Sequence, residues 1–260
     1  LLVPGQPGLV TAVAEGVDLS VGAEWALAQV ADAANQAGRP ARIHLKIDTG
    51  LGRNGATPAQ WPALVRQARA AQSARRVEVV GAWSHLACAD QPGHPATERQ
   101  LAAFEEALDV LDRAGLAPQV RHIANSAALL TLPQARYDLV RPGIACYGLS
   151  PGPAVGRPEE LGLTPAMTLH ARLAGVKRVP AGHGVSYGHR YHTTRATTLG
   201  LVPLGYADGI PRTASNTGPL QVAGRRFTVA GTVAMDQFVV DLGDLDAAPG
   251  DEVVLFGPGT

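Results

Sequence analysis

The sequence predicts an α/β protein in two parts. Residues 1–150 read as a partial (β/α)8 TIM barrel of about six of its eight strands, 151–163 as a linker, and 164–260 as a mainly β domain. Three observations predict this. Apolar runs of strand length alternate with runs of helical period through the first half, the pattern of a parallel sheet. Helical periodicity stops near Leu163, and short β-rich runs between Gly and Pro turns replace it. Polar residues and glycines gather at the ends of successive strands in the first half, where barrel enzymes build their sites. An open doubly wound sheet is the alternative for the same alternation.

The elements follow in order. Residues 1–3 read as a strand closed by Pro4-Gly5, and 17–21 as a short apolar strand. Residues 23–37 place Leu27, Val30 and Ala34 on one helical face, and Gly38 stops the helix. Residues 42–48 alternate, with Ile43, Leu45 and Ile47 on one face and His44, Lys46 and Asp48 on the other. Thr57-Pro58 looks like an N-cap and first turn for a helix reaching about Ala71. A strand over 77–85, a helix over 97–114 with Leu101, Phe104, Leu108 and Leu111 inward, and a strand over 119–124 come next. A short helix starts near Asn125, and 139–147 reads as the last barrel strand. In the second part, strands are expected at 167–173, 197–202, 220–222, 227–229, 238–241 and 252–255.

Composition narrows the function. The chain has 22 Lys+Arg against 22 Asp+Glu, so it lacks the basic surplus of a nucleic-acid binder. No apolar run approaches the roughly 20 residues of a membrane span. Two cysteines make no disulfide scaffold and fit the cytoplasm. The histidines show no metal-ligand spacing, so no metal site is expected. Neither the dinucleotide nor the P-loop glycine pattern is present.

The strand ends carry the chemistry. His44, Lys46 and Asp48 face the barrel interior, a costly place for polar groups without partners or a task. That strand runs into Thr49-Gly50-Leu51-Gly52-Arg53-Asn54-Gly55, whose glycines allow close approach of a ligand and bring Arg53 to the mouth. Ser84-His85, His122 with Asn125-Ser126, and Arg141-Pro142-Gly143-Ile144 end the next strands. Barrels bind phosphate with the loops after their last two strands. Ser126 offers a hydroxyl there, and Gly143 and Ile144 offer backbone N–H groups, so a phosphate-bearing cofactor or substrate is expected. In the β part, Gly184-Val185-Ser186-Tyr187-Gly188, Gly205-Tyr206-Ala207-Asp208-Gly209 and Ala234-Met235-Asp236-Gln237 place unusual side chains in turns.

These strings, with His44-Leu45-Lys46-Ile47-Asp48-Thr49-Gly50-Leu51-Gly52-Arg53, resemble the alanine racemases in order and spacing over essentially the whole chain. The resemblance implies an isomerase that interconverts L- and D-alanine with pyridoxal 5'-phosphate (PLP) by a two-base mechanism, supplying D-alanine for peptidoglycan. It implies Tyr187 as one base, Arg141 facing the cofactor's pyridine nitrogen, and His85 linking Arg141 to the tyrosine. Arg53 would contact cofactor and substrate carboxylate, Lys46 would be carbamylated and hold Arg53, and Ser126, Gly143 and Ile144 would bind the phosphate. Met235 would offer its amide to the substrate carboxylate and Tyr206 would line the entry. It also implies a homodimer in which Tyr187 and Met235 reach the partner subunit's cofactor.

Positive charge on His85 and Arg141 would bring the tyrosine, ordinarily near pKa 10, into use as a base. A broad-specificity amino-acid racemase and a non-catalytic PLP-binding protein are the alternatives. The family's Lys-Ala-Asn-Ala-Tyr-Gly string with the cofactor lysine does not occur; the lysines are Lys46 and Lys177. The reading is therefore a fragment that starts after two βα units, lacks the C-terminal tail, and is inactive alone.

Overall fold

The computed structural model describes residues 8–257. The chain divides into two units, Leu1–Leu163 and Thr164–Thr260. In the first, α1 (Leu9–Ala14), which the sequence reading missed, precedes β1 (Leu19–Val21), α2 (Glu24–Ala37), β2 (Ala41–Lys46) and α3 (Trp61–Ser73). Then come β3 (Val77–Trp83), α4 (Pro95–Arg113), β4 (Val120–His122) and α5 (Ser126–Thr131). The strands form one parallel sheet in the order β1-β2-β3-β4. Sequential order with a helix between neighbours is the repeated βαβ unit of a barrel wall.

Local chemistry sets the boundaries. Gly38 ends α2 in the left-handed region at φ 68°, where its amide reaches the Ala34 and Asn35 carbonyls. Pro95 opens α4 behind His94, whose ring nitrogen accepts from the Ala96 amide. Thr57 does not cap α3. It forms a turn with Gln60, and the helix begins at Trp61, with Pro62 in its first turn. The apolar face of β2, Ile43 and Leu45, is fully buried with Val79 and Ala82 of β3 and with Leu27, Val30, Trp61, Leu64, Phe104 and Leu111 from the helices.

Two expectations about strands change. The stretch 139–147 is not a strand. Pro142 has no N–H to give a ladder, the Arg141 amide makes a single bond to the Ala124 carbonyl, and Ile144–Tyr147 closes into a 3-10 turn ended by Gly148. The expected strand at 1–3 lies outside the described residues. The described sheet therefore has four strands rather than six.

In the second unit a seven-stranded antiparallel sheet is built from β5 (Leu169–Arg172), β6 (Gly175–Val179), β9 (Thr197–Val202), β10 (Pro219–Val222), β11 (Arg225–Ala230), β12 (Phe238–Gly243) and β13 (Glu252–Phe256), in the order β5-β13-β10-β11-β12-β9-β6. A small hairpin of β7 (Gly184–Val185) and β8 (Tyr191–His192) stands apart from it. β12 shows the period of two expected of a half-buried strand, with Phe238, Val240 and Leu242 inward. The sequence reading missed β6, β7 and β8. β6 begins at a glycine and carries Lys177 and Arg178, the charged character of an edge strand. No helix among the described residues is long and apolar enough to cross a membrane.

Candidate active site

The polar face of the parallel sheet is set by register. Lys46 pairs across the sheet with Trp83, and Trp83 with His122, so the three side chains form one rung. Lys46 Nζ lies 4.2 Å from the centroid of the Trp83 ring, and the His122 ring stacks on Trp83 at 5.5 Å with 13° between planes. One rung earlier His44 lies opposite Gly81. A Cβ at position 81 would fall 2.0 Å from His44 Nδ1, so only glycine leaves room for that imidazole.

Arg141 closes this face from the segment that follows α5 and the 3-10 turn at Pro133–Ala135. Its guanidinium donates to His122 Nδ1 at 2.6 Å, to His85 Nδ1 at 3.1 Å and to the Ser84 carbonyl at 2.7 Å, and it lies 4.7 Å from the Trp83 ring centre. Burial pushes Arg141 down to about 10, which leaves it charged at neutral pH. Burial and the Arg141 charge push His85 down to about 4 and His122 down to about 3. Both imidazoles are therefore neutral at pH 7. The expectation that His85 supplies positive charge is corrected: on this face Arg141 supplies it.

The glycine loop after β2 is held by Asp48, whose carboxylate accepts from the amides of Gly50, Leu51 and Gly52. Those bonds lower the Asp48 pKa and leave it a fixed cap. The Lys46 side chain is buried, and its ammonium makes no hydrogen bond or ion pair among the described residues. Burial, then the charges of Arg53 and Arg141, lower its pKa. Gln100 ties the loop to the next strand end by donating to Thr49 Oγ1 and to the His85 carbonyl.

A cavity of about 470 Å³ opens at these strand ends, with Arg53, His85, Ser126, Arg141, Gly143 and Ile144 in its lining. Asn125 caps α5 by accepting from the Ala128 amide. The Ser126 hydroxyl oxygen accepts from the Gly143 amide at 2.8 Å and the Ala145 amide at 3.3 Å. With its oxygen occupied by two donors, its own O–H is left to donate. The Gly143 amide is thus engaged by Ser126 in this structure, while the Ile144 amide has no acceptor among the described residues. A Cβ built on Gly143 would meet nothing within 4 Å, so the loop leaves open space beside these donors. The guanidinium of Arg53 and Nε–H of Arg141 likewise find no acceptor among the described residues.

The second unit gathers the other predicted residues. Tyr187, 72% exposed, and Met235, 59% exposed, line a depression of about 440 Å³ with Ser186 and Gln237. Ser186 has φ 58°, rare for a residue with a Cβ. Its hydroxyl donates to the Thr232 carbonyl at 2.6 Å, and the Thr232 hydroxyl donates to the Tyr187 carbonyl at 3.0 Å. Tyr206 stands beside Met235, because the Tyr206 and Ala207 amides donate to the Ala234 and Met235 carbonyls. Gly205 permits this: a Cβ there would fall 2.3 Å from the Met235 oxygen.

The sequence reading missed Asp18 and Trp83, and it named His44 and His122 without a role. Two histidines on strand faces otherwise lined by core were the available signal. Asp18 lies at the other end of β1 from the loops, where nothing in the local sequence marks it.

Comparison with known proteins agrees with the geometry. Residues 2–151 match the family model described as alanine racemase, N-terminal domain, and residues 166–260 the one described as alanine racemase, C-terminal domain. The alanine racemase of Thermobifida fusca is 61% identical over 259 residues, which cover all of this chain and 68% of that protein. That of Frankia casuarinae is 58% identical, covering all of this chain and 67% of its own length. Among solved structures, alanine racemase from Streptomyces coelicolor superimposes with a TM-score of 0.96 at 58% identity, over all of this chain and 68% of its own. The enzyme from D-cycloserine-producing Streptomyces lavendulae gives 0.95 at 58% identity, over 99% and 67%.

Proposed function

The chain belongs to the alanine racemase family, and from that premise we propose that its cavity binds PLP and serves the interconversion of L- and D-alanine in the cytoplasm. The observation that carries the reading is the donor set of the cavity. The Ser126 O–H and the Ile144 N–H stand at one end for a phosphate, and Arg141 stands among the strand ends with Nε–H to spare. Bound there, PLP supplies the electron sink for the charge left on Cα when the α-proton departs.

Arginine only donates, so the group that meets Arg141 must accept. Were PLP bound with its pyridine nitrogen against Arg141, that donor would leave the nitrogen without a proton and would weaken the sink. Tyr187 is the base that takes or gives the α-proton on one face. His85 accepts from Arg141 through Nδ1, so its proton sits on Nε2 and is free to donate to a phenolate oxygen. In this reading His85 aids the partner subunit's Tyr187 as a neutral donor rather than as a charge.

Arg53 pairs with the substrate carboxylate, the Met235 amide donates to the same group, and Tyr206 lines the entry. Lys46 is deprotonated more readily than an ordinary lysine, and a neutral amine adds carbon dioxide, forming a carbamate and releasing a proton. The carbamate pairs with Arg53 as Asp48, already holding three amides, cannot. Tyr187 and Met235 act on the cofactor of the partner in a homodimer.

The test is the protonation state of 15N-labelled PLP bound to the chain. The pyridine nitrogen should be unprotonated at pH 7 in the wild type and protonated in Arg141→Glu. The same state in both would remove Arg141 from this role. Borohydride treatment and peptide mapping of the same samples should show no PLP on Lys46 or Lys177. An adduct on Lys46 would instead make it the cofactor lysine.

A further inference from the structure

The hydrogen bonds behind Arg141 have a direction, and the chemistry of each group fixes it. Guanidinium nitrogens donate and never accept. His122 Nδ1, 2.6 Å from Arg141 Nη1, is therefore the acceptor and bears no proton. The single proton of neutral His122 is then on Nε2, which lies 2.8 Å from His44 Nδ1. His44 Nδ1 must accept in turn, so the His44 proton is on Nε2, 3.2 Å from Asp18 Oδ2. A carboxylate only accepts, so the series ends there.

It runs one way, from Arg141 through His122 of β4, past Gly81 of β3, to His44 of β2 and on to Asp18, the residue before β1. Burial keeps both imidazoles neutral: His122 is pushed down to about 3 and His44 below the usual histidine range. The groups around the far end fit the same direction. Arg42 donates to Asp18 at 2.7 Å and holds it ionised, and Glu78 lies 3.8 Å from the other side of Arg42. Neither imidazole can reverse its tautomer alone, because each reversal would set two N–H groups, or two bare nitrogens, face to face.

We propose that Asp18 is a positioning residue for Arg141: as the terminal acceptor it fixes His44 and His122 as Nε2–H tautomers and holds the guanidinium with its Nε–H toward the cavity. The consequence for PLP rests on the placement of Arg141 proposed above; the tautomer series does not.

The experiment is long-range 1H–15N NMR of the histidine-labelled chain without cofactor, paired with equilibrium titration by PLP. Wild type should show His44 and His122 as Nε2–H at neutral pH. Asp18→Ala removes the acceptor, so both histidines should become tautomer mixtures, and the PLP dissociation constant should rise about tenfold, as for loss of a hydrogen bond to a charged group. Asp18→Asn still offers an oxygen and should restore the tautomers, which separates the accepting role from mere bulk. An Nδ1–H form at either histidine in the wild type overturns the proposal without recourse to a variant. So does an Asp18→Ala protein that loses stability while both tautomers stay fixed. If the tautomers respond as stated and PLP affinity does not, the placement of Arg141 against the ring nitrogen is what fails.

Discussion

In the first unit two of the side chains that face the cavity, Arg141 and Ser126, are themselves held by hydrogen bonds. Arg141 is gripped by His122, His85 and the Ser84 carbonyl, and Ser126 gathers two amides on its hydroxyl. In the second unit Tyr187, Tyr206 and Met235 stand exposed, and the main chain beneath them is what is held. Its bonds run from the Tyr206 and Ala207 amides to the Ala234 and Met235 carbonyls, and from the Thr232 hydroxyl to the Tyr187 carbonyl. A site built from buried imidazoles answers to protonation and to small changes of shape. A site built on main-chain bonds leaves its side chains free to be exchanged and answers to neither in the same way.

The sharpest way to break the contrast is at Gly81. In Gly81→Val the new side chain would occupy the space of the His44 ring, so the expected cost is about 3 kcal/mol. Met235→Leu, on an exposed residue of the other site, should cost less than about 0.5 kcal/mol. Denaturant midpoints of the two variants, read against wild type at unchanged slope, check the pair.

Acid sharpens it next. His122 and His85 titrate near 3 and 4 in the folded protein, against about 6.5 in the unfolded chain. Between those values the unfolded state binds more protons, so stability rises with pH across the window. The contribution of these groups is complete above about pH 6.5 and is lost as pH falls toward 4 and then 3. Amide exchange measured at pH 7 and pH 4.5, corrected for intrinsic rates, should show β2, β3 and β4 losing protection before β9 and β12. Equal loss in both sheets would remove the histidines as its cause.

The most local effect is expected at Ser186. Ser186→Ala removes one hydrogen bond to the Thr232 carbonyl, worth about 1 kcal/mol. It should loosen the Tyr187 loop while leaving the His44 and His122 tautomers untouched. Faster exchange confined to the amides of the 184–192 hairpin is the observation that checks it.

Alternation at 42–48 makes the polar face of β2 legible, and the strand-end strings point to one site for Arg53, His85, Ser126, Arg141, Gly143 and Ile144, which line one cavity in the structure. What sequence could not supply were features that depend on register. Trp83 acquires its meaning from lying between Lys46 and His122 on neighbouring strands, and Asp18 from lying under His44 across β1. The stretch 139–147 misled because its apolar content suits a strand, whereas Pro142 and the Arg141 anchor decide its path. β6 escaped notice because charged residues at an edge dilute the strand pattern.

The rung at Trp83 has an optical consequence. Every tryptophan of the chain, Trp25, Trp61 and Trp83, belongs to the first unit, and the second has none. Trp25 is 60% exposed, Trp61 is buried against the Ala107 carbonyl, and Trp83 lies between a cation and an imidazole. Intrinsic emission excited at the red edge is therefore a private signal of the first unit. Its three emitters separate the solvent-facing helix, the apolar core and the polar face of the sheet by colour and by quenching, with no label added.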